Sequence, residues 1–92
     1  MTNQKQTKLK IKQGFITQRI GGKTTIFSGE DSILFTLNET AAYIYNGLKL
    51  NWPKNKIILG LTKKYNVSPQ EASRDIDELL SLLLDKKILF KE

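Results

Sequence analysis

The stretch SILFTLNETAAYIY, residues 32–45, places a strand pattern directly before a helix pattern. Its first half alternates along the chain with a period of two, which is typical of a β-strand. Ile33, Phe35 and Leu37 fall on one face of the strand, and Leu34 and Thr36 fall on the other. The strand contains no charged residue and no proline, although natural proteins often use both to protect an edge strand.

The second half of the stretch predicts a helix that begins after Asn38. Asparagine is a favoured N-cap, because its side chain accepts a hydrogen bond from a backbone N–H of the first turn. Glu39 stands in that turn, where the helix dipole stabilises a negative charge. We therefore expect a first helix from Glu39 to about Leu50.

Two further strands are predicted upstream, in FITQRIGGKTTIFSG, residues 15–29. Gly21–Gly22 separates two alternating runs and tolerates the positive φ of a tight hairpin turn. SGED, residues 28–31, forms the next turn, and Leu9 and Ile11 begin the β region. The result is a three-stranded antiparallel meander. We expect a flexible basic arm over residues 1–9 and one domain over residues 10–92.

Two more helices are predicted downstream. Pro53 ends the first helix and suits the start of a second, which extends to about Tyr65. Ser68 caps the third helix, Pro69 takes its first position, and Glu71 completes a capping box. This helix extends to about Lys87, and ILFK, residues 88–91, either adds a short strand or docks on the core. The fold class is therefore α+β and winged helix-turn-helix-like: three antiparallel strands followed by three helices.

Composition argues against several functional classes. The chain has no histidine and no cysteine, and so lacks the commonest general base, any thiolate nucleophile and the usual ligands of a transition metal. Its nine acidic residues accompany no phosphate loop and no nucleophile elbow. We therefore expect a binding protein that is not an enzyme and uses no cofactor or metal. Without a long apolar run or a signal-peptide pattern, we expect a cytoplasmic protein that does not contact membranes.

The third predicted strand and the third helix together suggest a groove. An uncharged edge strand is either covered by a helix or loop, or kept open so that an extended peptide can add to it. The third helix has an apolar stripe wide enough for the core, and Leu82 and Leu84 widen it further. Those two leucines contact either a bound peptide, the carboxyl-terminal ILF segment or a dimer partner.

The net charge of +6 raises the question of nucleic-acid binding. Residues 68–87 carry five acids and three bases, a net charge of −2. A recognition helix must approach a duplex that carries one negative charge per ~1.7 Å, for which an acidic helix is poorly suited. The basic excess lies instead in residues 1–27, which hold six lysines or arginines and no acid. We expect no nucleic-acid partner.

The segment LNETAAYIYNGL, residues 37–48, resembles the PqqD-like family. The similarity continues through KKYNVSPQEASRDIDELLSLLLDKKIL, residues 63–89, and covers about residues 15–90. Members of this family are RiPP recognition elements, which are small chaperones of ribosomally made and post-translationally modified peptides. The resemblance implies the same three-strand, three-helix fold. It also implies that the leader region of a precursor peptide adds to the third strand and lies against the third helix.

Carried onto this sequence, the resemblance implies a set of peptide-binding residues. On the strand these are Ser32, Ile33, Leu34, Phe35, Thr36 and Leu37. On the third helix, Arg74, Asp77, Ser81 and Leu84 form one flank of the apolar stripe, and Asp75, Glu78, Leu82 and Lys86 form the other. The sequence does not decide which flank faces the strand. We choose the first flank, together with Leu80, because it combines apolar side chains with the charge of Asp77.

The expected partners are a precursor leader peptide and a tailoring enzyme, such as a radical SAM enzyme or a leader peptidase. Two alternatives remain. A winged-helix DNA-binding protein would bind duplexes in a salt-sensitive way. A structural dimerisation module would use the same edge strand to form a homodimer.

Overall fold

The computed structural model describes residues 9–12, 14–29 and 33–91. The elements follow in the order β1 (Leu9–Ile11), β2 (Ile16–Ile20), β3 (Lys23–Ser28), β4 (Ile33–Leu37), α1 (Glu39–Lys49), α2 (Lys54–Tyr65), α3 (Pro69–Asp85) and β5 (Leu89–Lys91). The predicted meander of three strands followed by three helices is confirmed. Of the predicted arm, only Leu9 is among the described residues, and it begins β1. No helix in these ranges is long and apolar enough to cross a membrane.

The meander forms an antiparallel sheet in the order β2–β3–β4. Gly21 makes the predicted turn between β2 and β3 with a φ of 64°, in the left-handed region that glycine adopts without strain. Ile26 at the centre of β3 lies opposite Thr17 on one side and Phe35 on the other. β2 and β4 are therefore the two edge strands of this sheet.

A second, two-stranded sheet joins the ends of the described chain. β1 pairs antiparallel with β5, with Ile11 opposite Leu89, and the Lys12 N–H donates to the Ile88 carbonyl at 2.7 Å. Ile88 and Leu89 are buried, so this pair closes one side of the core. Gly14, with a φ of 96°, redirects the chain between β1 and β2. For this reason Leu9 and Ile11 join β5 and not the meander.

The helix starts follow the local capping chemistry. The Asn38 side chain accepts a hydrogen bond from the Ala41 N–H at 2.9 Å. At α3, the Ser68 hydroxyl accepts from the Glu71 N–H at 3.1 Å, and the Glu71 carboxylate accepts from the Ser68 N–H at 3.3 Å, which completes the predicted capping box. α3 ends at Asp85, two residues before the predicted end, because the chain turns at Lys87, which has a φ of 63°.

The core lies between the three-stranded sheet, the helices and β5. Gly47 lets α1 approach α2 closely, since a Cβ there would stand 2.9 Å from Ile57 and 3.0 Å from Trp52. The buried apolar residues are Ile26, Leu37, Ile44, Tyr45, Ile57, Leu61, Ala72, Ile76, Leu79, Leu83, Ile88 and Leu89. They come from β3, β4, the three helices and the segment of Ile88 and Leu89, so strands and helices form one core.

Candidate functional site

The edge of β4 is open. β4 pairs with β3 on one side, and within the ranges that the structure describes no strand pairs with its other side. An edge strand of this kind presents a row of backbone N–H and C=O groups that can bind another extended chain. The strand carries no charged side chain and no proline that would prevent such pairing.

The two faces of β4 have different surroundings. On the inner face, Phe35 is half-buried against the core and Leu37 is buried. On the outer face, the Thr36 hydroxyl lies 3.5 Å from the hydroxyl of Thr25, and Leu34 is 76% exposed. A strand added at this edge would therefore meet apolar side chains on both faces, because its own side chains alternate in the same way.

α3 forms the opposite wall of a groove beside β4. The Lys86 Nζ lies 5.8 Å from the centroid of the Phe35 ring, so the carboxyl end of α3 is next to the middle of the strand. Towards the other end, a cavity of about 260 Å³ separates Asn38 and Thr40 from Asp75 and Leu82 of α3. β4 and α3 therefore run in opposite directions along the groove.

The groove carries opposite charges at its two ends. Asp75 and Glu78 lie near Asn38, where β4 ends, and Lys86 lies near Phe35. Glu78 and Lys86 are eight residues apart, which is about 12 Å along the axis of a helix. Between them Leu82 is 37% exposed and lines the cavity. An extended peptide would thus meet acids, an apolar side chain and a base in sequence.

Two residues of the first flank of α3, Asp77 and Leu84, lie next to elements other than β4. Asp77 forms an ion pair with Lys54 at the start of α2, with 2.9 Å between Nζ and Oδ1. Leu84 lies against Leu89 and Phe90 of β5. Of the second flank, Leu82 lies near Asn38 at the end of β4, and Lys86 lies near Phe35 of β4.

The predicted site residues lie along the edge of β4 and on two surfaces of α3. The structure brings Leu34, Phe35, Thr36 and Leu37 together along the edge, next to the backbone of Ile33, while Ser32 lies outside the described residues. Leu80 is half-buried against the core. Arg74, Asp77 and Ser81 lie together on another surface of α3. Which of these residues contact a peptide remains a prediction.

In the sequence, Asp75, Glu78, Leu82 and Lys86 form the second of two possible flanks beside the strand, and the flank expected from the sequence is the first. The sequence held no signal that separates the two flanks, because Leu82 widens the apolar stripe on one flank as Leu84 does on the other. The described residues also contain no cluster of three or more acidic side chains that could hold a metal ion. The groove offers backbone hydrogen bonds, apolar contacts and charges, which are the requirements of peptide binding.

Known proteins resemble this chain in sequence and in fold. The sequence pattern of Coenzyme PQQ synthesis protein D (PqqD) matches residues 16–89. No curated protein matches the chain in sequence. In fold it is similar to Lasso peptide synthetase B1 complexed with the leader peptide, with a TM-score of 0.80 and 22% identity over 90% of this chain and 98% of that one.

A second similar structure is TbiB1 in complex with the TbiA(beta) leader peptide. Its TM-score is 0.76, with 20% identity over 87% of this chain and 93% of that one. At such identities the two structures support the fold, and the sequence match over residues 16–89 supports the family. From its sequence pattern and its three-strand, three-helix fold, the chain belongs to the PqqD family.

Proposed function

We propose that this protein is a non-catalytic chaperone that binds the leader region of a ribosomally made precursor peptide. The leader adds to the open edge of β4 as a further strand and lies in the groove against α3. The observation that carries the proposal is the geometry of this edge: β4 is uncharged and is unpaired on its outer side among the described residues. Lys86 at the end of α3 lies near Phe35 of β4, and a cavity lies between α3 and Asn38, where β4 ends.

The family and its structural relatives support the same function. Both similar structures named above hold leader peptides, and the chain shares their fold over at least 87% of its length. The PqqD family pattern covers both β4 and α3, the two walls of the groove.

The groove also suggests what the leader carries. Alternate side chains of an added strand would contact Phe35 and Leu82 on the side of α3, and Leu34 on the outer face. We expect an apolar side chain against Leu82 and an acidic one near Lys86. The peptide-binding residues proposed on α3 are therefore Asp75, Glu78, Leu82 and Lys86, in place of the flank formed by Arg74, Asp77, Ser81 and Leu84.

The chemistry of modification belongs to a second protein. We propose that the bound leader is presented in the cytoplasm to a tailoring enzyme, such as a radical SAM enzyme or a leader peptidase. DNA binding is disfavoured by the net charge of −2 over residues 68–87. A homodimer through β4 would use the same backbone groups as the leader, so the two forms of pairing exclude each other.

Backbone amide chemical-shift mapping tests the proposal directly. A synthetic leader peptide, chosen from a precursor gene identified beside the gene of this protein, is titrated into the ¹⁵N-labelled protein, with a peptide of scrambled sequence as the control. We expect the largest shifts at residues 33–37 and 75–86, and none with the scrambled peptide. Strand addition at this edge is ruled out if the leader binds, as measured by calorimetry, and these amides do not move.

A further inference from the structure

A second concave surface lies at the other end of the sheet. It is a cleft of about 460 Å³ between α1, the β2–β3 hairpin and the end of α2. The strand residues in its wall are Thr17 and Arg19 of β2 and Thr24 of β3, and no described residue of β4 lines it. Six side chains dominate its walls: Arg19, Lys49, Lys64, Tyr43, Tyr45 and Tyr65.

The cleft collects positive charge without neutralising it. Arg19, Lys49 and Lys64 come from three different elements, and none of them forms an ion pair with another described residue. The one acid in the wall is Glu39, whose Oε2 lies 3.2 Å from the position that a Cβ on Gly22 would take. Three cations and one acid leave the cleft with a net positive charge.

Aromatic rings lie beneath two of the cations. The Lys49 Nζ lies 5.6 Å from the centroid of the Tyr45 ring, and the Lys64 Nζ lies 5.4 Å from that of Tyr43. A ring face attracts an ammonium group but accepts none of its hydrogen bonds in the way that a carboxylate does. Both lysines therefore keep their N–H donors available to an anion in the cleft.

The floor of the cleft is neutral. Tyr45 is buried, and burial raises the pKa of its phenol above the ordinary value, while a side-chain hydrogen bond with Thr17 acts in the opposite direction. At neutral pH the phenol therefore carries no negative charge that would repel an anion. The cleft combines an uncharged aromatic floor with cations around its rim.

We propose that this cleft binds the carboxylates of an acidic segment of a second protein while the edge of β4 stays free. The three cations come from separate elements around one concave space. This arrangement fits a few carboxylate side chains of one segment that enter the cleft together. A nucleic-acid backbone would need a longer row of cations and would be repelled by Glu39. Under the function proposed above, the second protein is the modifying enzyme. Only the identity of this partner rests on the proposed function, and the binding of carboxylates in the cleft does not.

The cleft is tested with a probe of the required chemistry: hexaglutamate with an acetylated amino end and an amidated carboxyl end. Titration at low ionic strength is followed by backbone amide shifts, because surface charges are screened beyond ~10 Å at 0.1 M salt. We expect saturable shifts at Arg19, Gly22, Asn46 and Lys64, and none over residues 34–37.

Two variants of equal net charge make the test specific. The combination Arg19→Gln, Lys49→Gln and Lys64→Gln removes the three cleft cations, all of which are exposed. The control combination is Lys56→Gln, Lys63→Gln and Lys87→Gln, also at exposed positions. We expect the first to weaken hexaglutamate binding by roughly tenfold or more, and the second by much less.

Several results would overturn this inference. Equal weakening in both variants would mean that overall charge, and not the cleft, attracts the probe. Inorganic phosphate giving the same shifts at the same concentration would indicate a site for small anions, and duplex DNA displacing the probe would indicate a nucleic-acid surface. The leader titration reports on residues 33–37, so failure of one proposal is distinguishable from failure of the other.

Discussion

At the scale of single residues, Gly60 of α2 must be a glycine because the Tyr43 side chain of α1 packs against it. The Tyr43 hydroxyl and ring of α1 lie directly against Gly60 of α2, where a Cβ would overlap with them. Tyr43 also contacts Trp52 and Tyr65 in edge-to-face geometry, with ring centroids 5.8 Å and 6.1 Å away. The glycine thus fixes the position of an aromatic cluster that borders the cationic cleft.

A substitution at Gly60 should therefore reverse the usual helix preference. Alanine normally stabilises a helix interior by about 0.5–1 kcal/mol relative to glycine. Here we expect Gly60→Ala to lower the free energy of unfolding by about 1–3 kcal/mol, because the tyrosine must move. In a Tyr43→Leu background the same substitution should become neutral or stabilising. Urea denaturation of the four proteins measures both effects, and an unchanged cost in the double variant would contradict the explanation.

At the scale of elements, α3 shows what its sequence could and could not predict. The capping box at Ser68 and the apolar stripe follow from local chemistry and from the helical period, so both were predictable. The apolar stripe fixes which side of the helix packs on the core, but either flank of the stripe could have faced β4. The orientation of α3 is instead set by its packing against α1, α2 and β5, which involves residues distant in the chain.

The same distinction applies to the strands. The Gly21–Gly22 turn and the strand-to-helix joint at Asn38 depend on adjacent residues, and sequence reasoning found both. The pairing of β1 with β5 joins residues 9–11 to residues 89–91, for which no local pattern exists. The cationic cleft was missed for a similar reason, since its three cations come from a strand and two helices.

Substitutions at two adjacent positions of α3 test which of its flanks the leader contacts. Leu82→Asp places a carboxylate in the groove, and we expect it to weaken leader binding roughly tenfold or more through lost apolar contact and a buried charge. Ser81→Asp adds the same group one residue away, at an exposed position on the other flank. Fluorescence anisotropy of a labelled leader measures both affinities. Equal affinities would mean that the leader does not use the flank of Leu82.

At the scale of the whole molecule, the β1–β5 pair is part of the core. Leu89 is 2% exposed, whereas the adjacent Phe90 is 46% exposed. The chain has a single tryptophan, Trp52, which lies between α1 and α2, so its fluorescence reports on a different region. Since strands and helices share one core, we expect them to unfold together.

Leu89→Ala should therefore destabilise regions far from β5. We expect a loss of about 2–5 kcal/mol from the cavity left by the leucine side chain. Phe90→Ala, the matched control, should cost less than about 1 kcal/mol. The urea midpoint from Trp52 fluorescence should fall together with the midpoint from circular dichroism. A fluorescence midpoint that stays unchanged would mean that the two-stranded sheet unfolds as a separate unit.

Because β1 pairs with β5, the two ends of the described chain lie side by side, and the fold should tolerate a different order of its elements along the chain. Residues 9 and 91 are opposite each other in the ladder, so a short linker could join them. New ends could then be opened at the exposed Gly21–Gly22 turn, giving a circular permutant that begins at β3. In such a chain β4 and α3 would still face each other, and the groove would be kept by a rearranged sequence.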